Sequence, residues 1–366
     1  MFRFLFIKVW QRYYFQKLIF CAFAYIYRMI LISGATGFLG THLLKTLCLN
    51  NTENIRALYR SEDKKEYTIN FLKTLLPVDF HNRIKHIEWV KVDILNLPEL
   101  EKTFENIKFV YHCAAWVGNS PRDYNMMRKV NIEGTANMVN LAVSHKVDKF
   151  CHVSSVAALG QYTGSKNSDE QAPRDSERYC SRYSITKFGA EMEVWRASQE
   201  GLNVVIVNPG VILGSGFFDA GSGLIFDKVL NNFKFYPPKQ TGFVFVDDVI
   251  QAMLKLMQSD IKNQRYILVA ENTNFKIVME KIAEVFDCKP PNYKVNKPLL
   301  YLLWIFQNIL GLFKSQKTQI TLNTIRQIYS KRVFSNKKSI KDIGLSYTSL
   351  NQAINLIFED YKKLKQ

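Results

Sequence analysis

The chain has 366 residues, 47% hydrophobic and 22% charged, with a formal net charge of +17. Those fractions are ordinary for a globular protein, and the length suits one large domain or a domain with a substantial cap. The charge suggests nucleic acid only until it is located. Residues 1–28 hold five basic side chains (Arg3, Lys8, Arg12, Lys17, Arg28) and residues 314–341 hold eight, neither segment with an acid, so 13 of the 17 excess charges lie outside the expected core. No nucleic-acid partner is expected. Six cysteines, Cys21, Cys48, Cys113, Cys151, Cys180 and Cys288, are scattered without paired spacing. That argues against a disulfide framework and a zinc site, and for a reducing, cytoplasmic setting with no metal.

The first 28 residues contain eleven aromatics, and their longest apolar run, Leu18 to Tyr27, is ten residues, too short to span a bilayer. A membrane-surface anchor, a packed helical extension and a dispensable leader all fit. The last is favoured, because the stretch beginning at Met29 reads as a domain start. From there short apolar strands alternate with helices. Strands are expected at 29–34, 55–60, 87–93, 109–115, 150–157 and 203–210, and helices at 38–49, 97–106, 122–144 and 179–200. This alternation predicts an α/β fold, a doubly wound parallel sheet of the Rossmann type, with right-handed crossovers and helices on both faces. After Pro209 the alternation breaks down. Residues 213–242 are rich in Gly and Phe, 243–270 return to the sheet, and helices are expected near 274–286, 298–313 and 320–330. The expected division is a nucleotide-binding domain over 29–212, a smaller, mostly helical C-terminal substrate cap over 213–242 and 271–345, and a charged tail over 346–366.

Gly34-Ala35-Thr36-Gly37-Phe38-Leu39-Gly40 follows the first strand and opens a helix. Glycines at such a junction let the backbone turn tightly and let a pyrophosphate approach the helix N-terminus, where free N–H groups favour an anion. The spacing is Gly-x-x-Gly-x-x-Gly, not the commonest dinucleotide fingerprint. At the end of the second strand an acid would hold the 2′-hydroxyl of NAD, whereas an arginine accommodates the 2′-phosphate of NADP. Arg60 stands there, with Lys64 close behind, so NADP is favoured and NAD is the alternative. Glu62 and Asp63 leave a solvated charged loop as the other reading of this stretch.

Residues 29–285 resemble an extended short-chain dehydrogenase/reductase of the NAD-dependent epimerase/dehydratase superfamily, in the branch of dihydroflavonol reductases and 3β-hydroxysteroid dehydrogenases. The matching pieces, in order, are the Gly34–Gly40 loop, Asp93-Ile94, His112-Cys113-Ala114-Ala115, Asn131 with Gly134-Thr135, Val153-Ser154-Ser155, Tyr183-x-x-x-Lys187, Asn208-Pro209-Gly210 and Val246-Asp247-Asp248-Val249. The resemblance implies that Asp93 and Ile94 flank an adenine and that Cys113, Ala114 and Ala115 lie against the cofactor. It implies that Pro209, Gly210 and Val211 lie beside the nicotinamide, that Lys187 holds its ribose, and that Asn131 is a structural and relay residue.

Tyr-x-x-x-Lys occurs five times, at Tyr13, Tyr162, Tyr183, Tyr293 and Tyr361. Only Tyr183 opens an amphipathic helix after a serine-bearing strand and before another apolar strand. Carbonyl reduction leaves an alkoxide that must receive a proton. A phenol with a free pKa of about 10 is a poor acid–base group unless a cation favours its phenolate. Lys187, one turn on, is expected to supply that charge. Ser155 is expected to hydrogen-bond the carbonyl oxygen. Ser154 competes, and Ser155 is preferred for its distance from Gly160, the spacing usual in the family. Dehydratases of the superfamily place an Asp-Glu pair where Val156-Ala157 stand. Many sugar-nucleotide enzymes have Arg-Pro at 208–209 and His at Phe245, so those readings are disfavoured.

Phe217, Phe218, Phe226, Phe233, Phe235 and Tyr236 in the cap suggest an apolar substrate, with ordinary packing as the competing reading. The expected activity is therefore hydride transfer between NADP and a carbonyl or secondary alcohol of a hydrophobic small molecule. An NAD-dependent sugar-nucleotide epimerase is the alternative enzyme, and a non-catalytic NADP-binding redox sensor the alternative of another class. The apolar stretch 298–313, followed by cations from Lys314, fits either peripheral membrane contact through 298–317 or a buried lid helix. A homodimer is the remaining partner expectation.

Overall fold

The computed structural model describes residues 29–50, 52, 54–118, 123–162, 164–174, 180–313 and 322–365. The expectations for 1–28 lie outside the described residues, as do those for Lys314 and Lys317. Strands β1 (Met29–Ser33), β2 (Ile55–Tyr59), β3 (Glu88–Lys91), β4 (Ile107–His112), β5 (Lys149–Val153) and β6 (Val204–Pro209) alternate with helices. Then β7 (Val211–Leu213) and β8 (Gln240–Phe245) leave for a second sheet, β9 (Gln264–Leu268) returns, and β10 (Glu271–Asn274) completes the second sheet. The central sheet has seven strands in the order β9-β6-β5-β4-β1-β2-β3, and every neighbouring pair is parallel. The order reverses between β1 and β4, which opens a crevice at the carboxyl ends of those two strands, where open α/β sheets bind ligands.

The helices that position the site are α1 (Phe38–Leu49), α2 (Glu62–Leu75), α3 (Leu97–Lys102), α4 (Gly134–Ser144) and α5 (Arg182–Gln199). Both faces of the sheet are covered, as the strand sequences require. Leu31, Val110, Phe150 and Ile206 face one buried cluster with α4 and α5 residues such as Val139 and Val194. Ile30, Ile32, Tyr111, Cys151 and Val205 face another with Leu43 and Leu44 of α1. Successive residues thus enter opposite layers, the period-two rule of a strand.

Beyond β6 the chain adds α6 (Leu224–Leu230), α7 (Val246–Gln258), α8 (Phe275–Val285), α9 (Lys297–Phe313) and α10 (Leu350–Lys365). Three features differ from the sequence reading. The charged stretch after Arg60 is not a loop but the first turn of α2, capped by Ser61, which accepts a hydrogen bond from the Lys64 amide. Only Thr68, Phe71 and Leu72 of that helix are buried, so its apolar stripe is too thin to stand out in sequence. The first strand of 243–270 does not rejoin the central sheet, because β8 pairs with β7 and β10 in a three-stranded sheet of its own. The charged tail is α10, which buries Leu350, Ala353, Ile354 and Ile357 in the same cluster as α1 and α7.

The cap aromatics also sort differently. Phe226 is fully buried and stacks on Phe218 at 4.9 Å, which stacks in turn on Tyr361 of α10. Phe217 packs against Phe38, Tyr67 and Phe71. Phe218 and Phe226 pack in the core, while Phe217 is half-buried. Ile354, with 0% exposure, tests the status of α10. Ile354→Ala should cost about 2–5 kcal/mol in chemical denaturation, the range for a truncated core side chain, whereas a solvated tail would lose less than about 0.5 kcal/mol.

Candidate active site

The site forms where β1, β4, β5 and β6 end. Gly34 leaves β1 with φ +69°, and a Cβ there would lie 2.6 Å from the Ala114 nitrogen. Only glycine lets the first turn press against the chain leaving β4. Gly37 then caps α1, and its amide donates to the Gly34 carbonyl at 3.0 Å. Leu39 and Gly40 are buried in α1, while Thr36 and Phe38 are half-buried and Gly37 is exposed at the helix N-terminus. The junction therefore has what a dinucleotide pyrophosphate needs, an accessible helix N-terminus approached by side-chain-free backbone.

Arg60 follows β2 and pairs with Asp93 at the end of the neighbouring β3, Nη1 to Oδ2 at 3.3 Å, with its guanidinium 6.0 Å from the Trp116 ring centroid. Asp93 Oδ1 also accepts from the Leu95 amide at 3.0 Å, and Ile94 is buried against Gly134. Glu62 does not enter this group. It accepts from Tyr59 Oη at 2.8 Å and pairs with Lys65 and Lys91, and Lys64 is exposed on the outside of α2. Arg60, Asp93 and Ile94 are thus brought together, and Lys64 lies outside that group.

Beyond β4, Cys113 is half-buried and burial pushes its thiol up to about 12, so it is a neutral packing group. Ala114 is half-buried and Ala115 exposed. His112, behind them, joins Ser33 Oγ at 2.6 Å to Thr135 Oγ1 at 2.9 Å, and burial drives its imidazole down to about 3, leaving it neutral. Thr135 in turn donates to the Asn131 carbonyl at 2.6 Å. Asn131 lies in a π-helical turn, Lys129–Glu133, a local irregularity that often accompanies functional positions. Its side-chain amide accepts from the Trp116 nitrogen at 2.7 Å and donates to the Trp116 carbonyl and to Thr186 Oγ1, each at 3.0 Å. It therefore fastens the loop after β4 to α5.

Helix α5 starts at Ser181, whose hydroxyl accepts from the Ser184 amide, so Tyr183 stands in its first turn. Ser155, two residues beyond the β5 end, lies near enough to Tyr183 to favour its phenolate, and Ser155 Oγ accepts from the Ala157 amide at 3.1 Å. Ser154 points elsewhere, donating to Glu191. Burial pushes the Tyr183 phenol up to about 12, with Ser155 pulling the other way. The expected lowering by Lys187 is not what this geometry produces. Lys187, with 2% exposure, turns its Nζ to the Val153 carbonyl at 2.6 Å. Burial brings its ammonium down to about 8, against the opposing pull of Glu191 and Cys113. Pro209 ends β6 buried, and Gly210 and Val211 follow half-buried, the Gly210 amide donating to Leu268 at 3.0 Å.

The sequence reading missed Glu191. It lies one turn beyond Lys187 and is wholly buried. One oxygen takes Ser154 and Asn208 Nδ2, the latter at 2.6 Å, and the other pairs with Arg265 at 3.3 Å. The same Asn208 amide donates to the Ser155 carbonyl at 3.0 Å. A glutamate at i+4 from Lys187 on a buried helix face was the available signal. A cavity of about 500 Å³ is lined by Gly160, Glu170, Arg174, Phe188 and Arg265, but none of Ser155, Tyr183 and Lys187 lines it.

A seven-stranded doubly wound sheet, a glycine turn at its switch point and a serine–tyrosine–lysine group at its carboxyl end define an NAD(P)-dependent enzyme of the extended short-chain dehydrogenase/reductase superfamily. Within that class the chain belongs to the NAD-binding family described as male sterility protein, whose model matches residues 32–265. A Synechocystis protein named as a dihydroflavonol 4-reductase is 25% identical over 332 residues, covering 88% of this chain and 91% of that protein. The 3β-hydroxysteroid-dehydrogenase/decarboxylase isoform 1 of Arabidopsis thaliana is 22% identical over 358 residues, covering 92% and 80%. The crystal structure of gox2253 superposes with a TM-score of 0.74 at 25% identity, covering 92% of this chain and 98% of that one.

Lys187 gives a pH test. Its folded-state value of about 8 lies below the ordinary 10.5, so across that interval the unfolded chain holds more protons and stability rises with pH. Wild type should gain stability relative to Lys187→Met as pH rises through that window in parallel chemical denaturations. A constant difference would contradict the buried ammonium.

Proposed function

We propose that the protein is an NADP-dependent oxidoreductase acting on a carbonyl or secondary alcohol of a hydrophobic small molecule, with Tyr183 as its acid/base. The observation that carries this reading is the placement of Tyr183 in the first turn of α5, beside Ser155, one helical turn from a buried Lys187. Arg60 at the end of β2, with no acid at that position, supports NADP. The names of the relatives, a dihydroflavonol reductase and a hydroxysteroid dehydrogenase, support an apolar substrate.

A bound nicotinamide would supply or accept the hydride. Gly34, Thr36, Gly37 and Phe38 would hold the pyrophosphate end, Arg60 the 2′-phosphate, Asp93 and Ile94 the adenine. Pro209 to Val211 and Lys187 would hold the nicotinamide end. In the reducing direction Ser155 Oγ and Tyr183 Oη converge on the carbonyl oxygen, and Tyr183 gives it the proton as negative charge develops. A phenol at about 12 is fully protonated at neutral pH, the state this direction requires. The reverse direction requires the phenolate, which Ser155 favours.

Purified protein should consume NADPH with a hydrophobic ketone from a carbonyl panel. Tyr183→Phe should cut turnover by about 10²-fold or more while NADPH still binds. Undiminished turnover in that variant would overturn the role of Tyr183, and tighter binding of NAD than of NADP would overturn the role of Arg60.

A further inference from the structure

Helix α9 is attached by a narrow stripe. Leu300 is buried and Trp304, one turn on, is half-buried. Leu299, Leu302, Leu303, Ile305 and Phe306 are instead 50%, 63%, 40%, 46% and 58% exposed, where a water-facing helix would carry polar side chains. A second apolar group precedes it in the chain. Tyr293 pairs with Phe235 across a two-residue parallel ladder, with ring centroids 5.8 Å apart, and Phe233 packs on Phe235 at the same distance. These three rings are 60%, 44% and 44% exposed.

The charge along this part of the chain is of one sign. From Cys288 to Lys341 the chain holds eleven Lys and Arg and no Asp or Glu. Lys234 and Lys294 are exposed and alternate with the aromatics of the ladder. Lys228 lies 5.5 Å from the Phe233 ring, and Lys297 begins α9. Large exposed apolar surface marks an interaction site. A rim of cations selects an anionic partner and disfavours a second copy of the same basic face. No described helix is long and apolar enough to cross a membrane, so an apolar helix of this kind would lie in the lipid interface, not through it.

We infer that α9 and the Phe233–Phe235–Tyr293 group form a docking surface for an anionic lipid membrane. The exposed Leu, Ile and Phe side chains enter the headgroup boundary and the lysines meet lipid phosphates and carboxylates. The inference is independent of the catalytic reading, because it is tested by binding alone. Full-length protein should float with vesicles of phosphatidylcholine and phosphatidylserine, more weakly with phosphatidylcholine alone, and less in high salt. Leu302→Ser combined with Phe306→Ser should lower partitioning by roughly tenfold or more. Lys294→Glu with Lys297→Glu should remove the preference for phosphatidylserine. All four side chains are exposed, so both variants should keep the wild-type thermal transition. Wild-type partitioning by the serine double variant would place lipid contact elsewhere and overturn the inference. So would a protein that ignores vesicles but forms a dimer dissociated by the same substitutions.

Discussion

A carboxylate with no access to water must find its donors inside the protein, and the placement of Glu191 is the constraint on which the rest of the site depends. Burying an unpaired charge is prohibitive. The carboxylate is satisfied by Ser154 after β5, Asn208 in β6 and Arg265 in β9. Three adjacent strands are thereby pinned to one point on α5. Removing one partner of a buried pair costs about 3–5 kcal/mol, so the register of the helix against the sheet is closely fixed. Tyr183 and Lys187 sit two turns and one turn before that point on the same face, and Asn208 also holds the Ser155 carbonyl. The mutual placement of serine, tyrosine and lysine follows from where Glu191 is anchored.

The same burial sets the charge state. Lys187 is shielded from water and drops to about 8, and Glu191 one turn away is among the groups that hold it up. Tyr183 stays a neutral phenol because desolvation outweighs the help it receives from Ser155. Behind them His112 is neutral and bonds both Ser33 and Thr135, so the strand end that carries Gly34 and the π-turn that carries Asn131 share a rigid link. The result is a neutral phenol beside Ser155, with the buried Lys187 one turn further along the helix.

Much of this was legible in the sequence, because a parallel sheet writes itself as short apolar runs. Helix α1 was placed at its observed bounds by the glycines before it and its dense apolar content. Ser155 over Ser154 was a choice of spacing, and the bond of Ser154 to Glu191 is a long-range contact that spacing does not show. What stayed hidden depended on long-range contacts. Glu191 looks like one more polar residue on a helix until β6 and β9 come to meet it. Helix α2 buries too few side chains to show a stripe, and α10 is rich in lysine because only one of its faces meets the core. For Phe218 and Phe226 substrate contact and ordinary packing both stayed open, because composition cannot tell a pocket wall from a packed layer.

Glu191 opposes the loss of the Lys187 proton, and the decisive measurement is the pH dependence of turnover in Glu191→Gln. The amide keeps the size and can keep a bond to Ser154, but it removes the negative charge that raises the Lys187 pKa. The limb of the profile on which Lys187 loses its proton should therefore move to lower pH than in wild type. Profiles of wild type and variant that superpose would contradict the account.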